Sequence, residues 1–311
     1  MKTRPFTGKN SVSQLSLGTW GLSGDGYGPV SEAVQDEVIH RARAYGITLY
    51  ETSDVYGRGA MEQRLGKIFG ADPSVTIVTK LGTDLSGMPQ RKRFDAAYLR
   101  EACARSSERL ARPQIDVVLL HNPAEQTLKS DEIGGVLADL KKEGKIGAWG
   151  VSAGSAAVAR AALERGAEVL ELAYNCFSVA DLDGLSLTPD KVPVLARSVL
   201  AYGLLCGQWS ETKVFPSGDH RAERWTHEQL RGRLKQLSAL SSILGGEVSS
   251  LRAAALRFVL ANPLVSSAVI GPRNRVQLDQ LVREAGQGPE YLPPSTLSRL
   301  KDQLVRVGAH R

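Results

Sequence analysis

Cysteine is scarce in this chain: three in 311 residues, Cys103, Cys176 and Cys206. They are far apart, odd in number, and make no Cys-x-x-Cys pair or Cys/His cluster. That pattern excludes a disulfide framework and argues against structural zinc. It fits free thiols in a reducing compartment, and hence a cytoplasmic location. Long apolar runs are also missing, and no stretch approaches the roughly 20 apolar residues of a membrane helix. Residues 1–5 lead into polar sequence, so no signal peptide is expected. No Gly-x-Gly-x-x-Gly follows the first strand-like segment, which removes the fingerprint of a Rossmann half. No nucleic-acid motif occurs either, and no nucleic-acid partner is expected.

What is present suits a globular protein. Hydrophobic residues make up 42% and charged residues 23%, which is ordinary for a soluble chain with its own core. The net charge of +6 is modest and favours an anionic cofactor or substrate. The clusters Arg91-Lys92-Arg93 and 231–235 read as solvated faces.

Along the chain, strand and helix signals alternate with little interruption. Gly8 to Gly18 carries turn residues followed by alternation, which suits a short hairpin closing a barrel end. Leu15 to Trp20 reads as the first barrel strand. Helical patterns follow at Glu32–Tyr45, Ala60–Phe69, Asp95–Leu110, Asp131–Glu143 and Ser155–Glu164. Between and after them, strands are expected at Ile47–Glu51, Val75–Lys80, Ile115–His121, Lys145–Ser152, Glu168–Asn175 and Val192–Ser198. The helices His227–Ser242 and Ser250–Leu260 precede a last strand, Val265–Ile270. The spacing of Leu297, Leu300, Leu304 and Val307 predicts a C-terminal helix. Such alternation favours a parallel sheet with helices outside. The expected fold is therefore α/β, one (β/α)8 TIM barrel over residues 1–311 with an N-terminal hairpin and a C-terminal helix. Val199 to Trp225 is long, irregular and glycine-bearing, as binding loops often are.

Three strands end in chemically useful residues. Tyr56 follows the second strand, Lys80 ends the third and His121 the fourth. Parallel barrels do their chemistry at the face where the strand C-termini meet. A phenol near pKa 10 donates poorly at neutrality, and an adjacent ammonium lowers it, so Lys80 is expected to do this for Tyr56. A carboxylate beside Lys80, such as Glu51, keeps the ammonium charged. His121 can hydrogen-bond a carbonyl oxygen and orient it.

The stretch Glu51-Thr52-Ser53-Asp54-Val55-Tyr56-Gly57 resembles the strand-two motif of the aldo-keto reductases. Val78-Thr79-Lys80 and Leu119-Leu120-His121 resemble the next two strand motifs of that family. Leu17-Gly18-Thr19-Trp20-Gly21, Gly150-Val151-Ser152, Ala196–Gly207 and Val269–Asn274 with Gln277-Leu278 are similar to further family segments in the same order. The resemblance implies a barrel that binds NADP(H) without a Rossmann fold and interconverts aldehydes or ketones with alcohols. It implies Tyr56 as general acid, with Lys80, His121 and Glu51 in support. It places Gly18, Thr19, Trp20, Ser152, Glu171, Arg197, Ser198, Leu200, Gly271, Arg273 and Gln277 around the cofactor, with no metal. Gly271 can let the backbone approach a phosphate, and Arg273 offers a guanidinium fork suited to one, which favours NADP over NAD.

The chain departs from the family pattern at four places. Glu51 stands for the usual aspartate, one methylene longer. Ala153 stands for an asparagine and Glu171 for a glutamine, both expected at the nicotinamide carboxamide. Leu281 stands for an asparagine against the adenine. Asp54 is read as a loop residue. These departures keep two other functions open: a non-catalytic, regulatory or scaffold barrel like the potassium-channel β subunits of the same family, or a specialised biosynthetic oxidoreductase. Substrate-selecting loops are expected at Leu22–Val30, Gly82–Phe94 and Val199–Trp225, with Trp20, Trp209 and Trp225 as candidate pocket residues.

Overall fold

The computed structural model describes every residue except Lys9, Met88, Asp190, Glu247, Pro289, His310 and Arg311. Thr3–Pro5 (β1) and Ser11–Ser13 (β2) form an antiparallel hairpin. The barrel strands are Leu15–Gly18 (β3), Leu49–Glu51 (β4) and Thr76–Leu81 (β5). A short hairpin follows, Thr83–Asp84 (β6) against Arg91–Lys92 (β7). The barrel continues with Ile115–His121 (β8), Ile146–Ser152 (β9), Val169–Ala173 (β10), Val194–Arg197 (β11) and Val265–Ile270 (β12). Parallel pairing runs β3-β4-β5-β8-β9-β10-β11-β12, and β12 closes on β3 through Ala268↔Leu15 and Ile270↔Leu17. The expected (β/α)8 barrel with its hairpin and C-terminal helix is the observed one.

Side chains alternate across each strand, and here the alternation sorts the core. Leu15, Leu17, Tyr50, Ile77, Val118 and Leu120 pack outward with the surrounding helices. Leu49, Val78, Val117, Leu119, Ala148, Val169, Leu195 and Val269 form a separate inner cluster. Phe6 and Val12 belong to that inner cluster, so the β1–β2 hairpin plugs the lower end. Gly150 has to be glycine, because a Cβ there would lie 1.8 Å from the Val169 carbonyl oxygen.

Local chemistry sets the helix starts. Asp95 accepts from the Tyr98 amide, Ser155 from Val158, Ser250 from Ala253 and Asn274 from Gln277. Each satisfies an orphan amide of a first turn. Thr226 and Gln229 make a reciprocal capping box.

Several boundaries differ from the sequence expectation. Trp20 leaves the first strand and opens the short helix Trp20–Ser23. The helix expected through Ser242 ends at Gln236, with a separate turn at Ser238–Ser241. The sixth strand stops at Ala173, because Asn175 turns back to bridge Ser178. The segment Gly82–Phe94, expected as a loop, contains β6 and β7; Tyr98 anchors it by donating to the Thr83 carbonyl at 2.7 Å. The C-terminal helix, Pro294–Arg306, buries Leu300 and Leu304. Among the described residues no helix is long and apolar enough to cross a membrane. Cys103 and Cys176 are buried, Cys206 is half-buried, and none of the three is in a disulfide.

Candidate active site

The inward positions at the upper ends of the strands are polar. Glu51 follows Leu49, Lys80 follows Val78, His121 follows Leu119, Ser152 follows Gly150, Glu171 follows Val169 and Arg197 follows Leu195, each two residues on. All six line one cavity of about 1100 Å³. It continues past Gly18, Trp20 and Gly21 to Gly271, Gln277 and Leu281. Tyr56 enters from the turn after β4, where Gly57 and Arg58 both adopt positive φ and swing the chain back towards the site.

Lys80 is 1% exposed. Its Nζ donates to the Thr52 carbonyl at 3.0 Å and to the Tyr56 hydroxyl at 3.0 Å, and it is ion-paired with Glu51 Oε1. The three ammonium protons therefore have three partners. The Tyr56 hydroxyl in turn donates to Glu51 Oε1 at 3.3 Å. The extra methylene of Glu51 is accommodated by Gly18, where a Cβ would come within 2.9 Å of Glu51 Oε2. The substituted carboxylate thus makes the Lys80 contact that a shorter one was expected to make.

The titration behaviour corrects one expectation. Lys80 touches Tyr56, yet the phenol is raised well above its ordinary value, by burial and then by the charge of Glu171. Tyr56 holds its proton. Burial lowers Lys80 to about 8, and the Glu171 charge opposes that fall.

The opposite wall is less completely paired. Glu171 is buried, 3.8 Å from Lys80 Nζ through Oε2 and 4.0 Å from Arg197 Nε through Oε1. Its Oε2 makes no hydrogen bond among the described residues. Arg197 donates to the Ala153 carbonyl at 3.0 Å, so a guanidinium reaches the strand end where the side chain has shrunk to a methyl. His121 sits edge-on to Tyr56, with ring centroids 6.3 Å apart. Its Nδ1 lies 3.2 Å from Ser53 Oγ. Burial and the neighbouring cations hold the imidazole well below its usual pKa, so it is neutral.

Of the residues expected around a cofactor, Gly18, Trp20, Ser152, Glu171, Arg197, Ser198, Leu200, Gly271, Arg273 and Gln277 line the cavity. Thr19 is not in that lining. It is buried behind Glu51, bonding the Glu51 carbonyl at 3.1 Å and Thr52 Oγ1 at 2.9 Å. The Arg273 guanidinium bonds the carbonyls of Gly21 at 3.2 Å and Gly28 at 2.8 Å, stitching the Leu22–Val30 loop to the wall. Gln277 accepts from the Arg273 amide at 2.8 Å. Asp25, Tyr27, Gln90, Tyr202, Trp209, Arg221 and Arg224 complete the rim. They come from the three loops expected to select substrate. Trp225 packs on Tyr202 and Trp209 behind that rim. The rim arginines were not foreseen, since a loop arginine in sequence reads as a solvated one.

The sequence profile described as the aldo/keto reductase family matches residues 14–286. The chain belongs to the aldo/keto reductase family. The aldo-keto reductase YhdN of Bacillus subtilis is 28% identical over 288 residues, 88% of this chain and 86% of that protein. An aldo-keto reductase of Schizosaccharomyces pombe whose name specifies NADP(+) is 26% identical, over 78% of this chain and 76% of its own. Among solved structures, the glycerol dehydrogenase of Gluconobacter oxydans superposes with a TM-score of 0.84 at 26% identity, covering 99% of this chain and 97% of that one. This aldo/keto reductase is an oxidoreductase of a family that uses nicotinamide cofactors on small carbonyl compounds. Its cavity fits such a cofactor: it is long, arginine-rimmed at the Gly271 end, and carries a buried carboxylate oxygen free to accept a hydrogen bond.

Proposed function

We propose that this aldo/keto reductase is NADPH-dependent, reducing an aldehyde or ketone to an alcohol or running the reverse reaction, with Tyr56 as the general acid. The observation that carries this reading is the Tyr56 hydroxyl, held between Lys80 Nζ at 3.0 Å and Glu51 Oε1 at 3.3 Å at the cavity wall. A phenol kept protonated by burial is a competent donor, because it carries its proton until the developing alkoxide is basic enough to take it. When bound, the nicotinamide supplies or accepts the hydride. The chain's own groups do the rest. Tyr56 protonates the carbonyl oxygen. Lys80 then stabilises the phenolate that remains, and Glu51 keeps Lys80 charged and in place. His121 orients the same oxygen. In the reverse direction Tyr56, as phenolate, takes the alcohol proton.

Gly18, Trp20, Ser152, Glu171, Arg197, Ser198, Leu200, Gly271, Arg273 and Gln277 are the residues that would hold the cofactor. The NADP(+)-specific name of the yeast relative supports the phosphorylated form, and the glycerol dehydrogenase neighbour supports alcohol and carbonyl chemistry. The complete contact set of Tyr56, Lys80 and Glu51 supports catalysis over a regulatory barrel. Three cysteines outside any disulfide support a cytoplasmic place for a protein whose barrel covers most of residues 1–311.

The test is Tyr56→Phe. Carbonyl reduction should fall by about a thousandfold, while NADPH fluorescence titration gives an affinity close to that of the unaltered protein. Turnover that survives the substitution would reject Tyr56 as the acid.

A further inference from the structure

Behind the cavity wall, Ser53 and Asp54 lie in the turn between β4 and Tyr56, and both are buried. Neither belongs to the cavity lining. Ser53 Oγ is 3.2 Å from His121 Nδ1 and 3.2 Å from Asp54 Oδ1, with the Lys80 carbonyl more distant at 3.4 Å. A serine hydroxyl has one proton to give and lone pairs to receive with. It cannot donate to the imidazole and the carboxylate together. The neutral ring of His121 likewise carries its proton on one nitrogen only, and the partner of the other nitrogen decides which.

We propose that Asp54 and Ser53 form a proton-linked positioning relay that sets which ring nitrogen of His121 carries its proton, and so whether His121 donates a hydrogen bond into the cavity. Two arrangements are consistent with these contacts, and in both Ser53 Oγ can also accept from the Val55 amide at 3.4 Å. With Asp54 protonated, its O–H donates to Ser53 Oγ, Ser53 donates to Nδ1, and Nε2 carries the ring proton as a donor. With Asp54 ionised, Ser53 donates to the carboxylate, Nδ1–H donates to Ser53, and Nε2 is a bare acceptor. Passing from the first to the second releases one proton in total. Asp54 gives up its own, and the imidazole stays neutral, regaining at Nδ1 what it loses at Nε2. Only the first arrangement offers a donor to a carbonyl oxygen. The second presents a lone pair to it, which repels the charge that develops there.

The surroundings place the change in a useful range. Burial, and the negative charge of Glu62 on the helix Ala60–Phe69, raise Asp54 to about 7. Ser53 itself, Arg109 from the helix Ala96–Leu110 and Lys92 from β7 oppose that rise. Burial first, and then Lys80, Lys92 and Arg197 facing it, keep the His121 ring neutral on both sides of the change. Lys92 also donates to the His121 carbonyl at 2.7 Å, fixing the backbone from which the ring projects.

Only the effect on turnover rests on the proposed carbonyl reduction. The tautomer can be read without it, by the ring ¹⁵N shifts of histidine-labelled protein, the His121 signals being those lost in His121→Gln. Between about pH 5.5 and about pH 8.5 the unaltered protein should pass from Nε2–H to Nδ1–H with no imidazolium. Asp54→Asn should show Nε2–H throughout, because its amide donates to Ser53 at every pH. Ser53→Ala should lose the pH response, and Ser53→Thr, which keeps a hydroxyl, should restore it. Turnover of a carbonyl substrate should fall by more than about tenfold over the same range, and in Asp54→Asn should show only the later, shallower decline that sets in near pH 8 with the loss of the Lys80 charge. A single tautomer at all pH values in the unaltered protein, or a switch that persists in Ser53→Ala, overturns the relay. A switch without carbonyl turnover leaves the relay standing and removes the proposed reaction instead.

Discussion

The inward face of the barrel has two unlike stretches along the same strands. In the lower and middle levels Leu49, Val78, Val117, Leu119, Val169 and Leu195 pack against each other and the hairpin plug. Two residues further up, the same faces carry Glu51, Lys80, His121, Glu171 and Arg197. The lower level is sealed from water while the upper one lines the cavity, with His121 and Arg197 half-buried, and one is held by dispersion and burial, the other by matched charge. Apolar side chains in the lower levels need only volume. Charges in the upper level need partners, because an unpaired buried ion is costly. Within the upper level the pairing is uneven: Lys80 uses all three protons, whereas Glu171 keeps one oxygen free. The stable barrel and the reactive site are therefore separable by a single pleat.

Breaking the charged level should do the most damage. Lys80→Met leaves Glu51 buried without its partner and should cost about 3–5 kcal/mol, read by urea denaturation. Adding Glu51→Gln should recover much of that stability but none of the turnover. A double variant no more stable than the single one would show that the pair is not what Lys80 contributes. In the level below, Leu119→Ala should cost about 2–5 kcal/mol, with kcat per folded molecule unchanged. A selective loss of kcat there would mean the two levels are coupled. Glu51→Asp retains the charge and retracts it; carbonyl turnover should drop by about tenfold to a hundredfold with little change in stability. A gain on simple aldehydes would instead mark the native carboxylate as a weakening substitution. The smallest effect is one of pH. Lys80 is lowered to about 8, so its charge is present below that value and lost above it. In Asp54→Asn, which has no titrating Asp54, turnover should decline several-fold as pH rises through that range. A flat profile there would show that the ammonium does not support Tyr56.

Much of this was legible in the chain. Strand ends at Ile115–His121 and Val265–Ile270, and the helix Ala60–Phe69, stand where periodicity and capping residues put them. Lys80 and His121 were readable because each ends an apolar run at a strand end, and Tyr56 because its turn directly follows the second strand. The β6–β7 hairpin was not, since its two-residue strands are too short to show a period. The rim arginines were hidden for another reason. Arg221 and Arg224 lie in an irregular loop, and only tertiary contact stacks them on Tyr27 and Tyr202.

The sequence by itself determined the barrel and the identity of the reactive side chains. Both follow from local rules: a period of two along strands, caps at helix starts, and polar residues where strands end. What only the tertiary structure decided is how those groups act on one another. Gly18 gives the longer Glu51 room, although 33 positions separate them. Burial, and then the charge of Glu171 on another strand, keep Tyr56 protonated rather than pushed towards phenolate. Ser53 meets the ring of His121 across 68 positions of chain. Electrostatics depend on distance and burial, and neither quantity exists until the strands have closed.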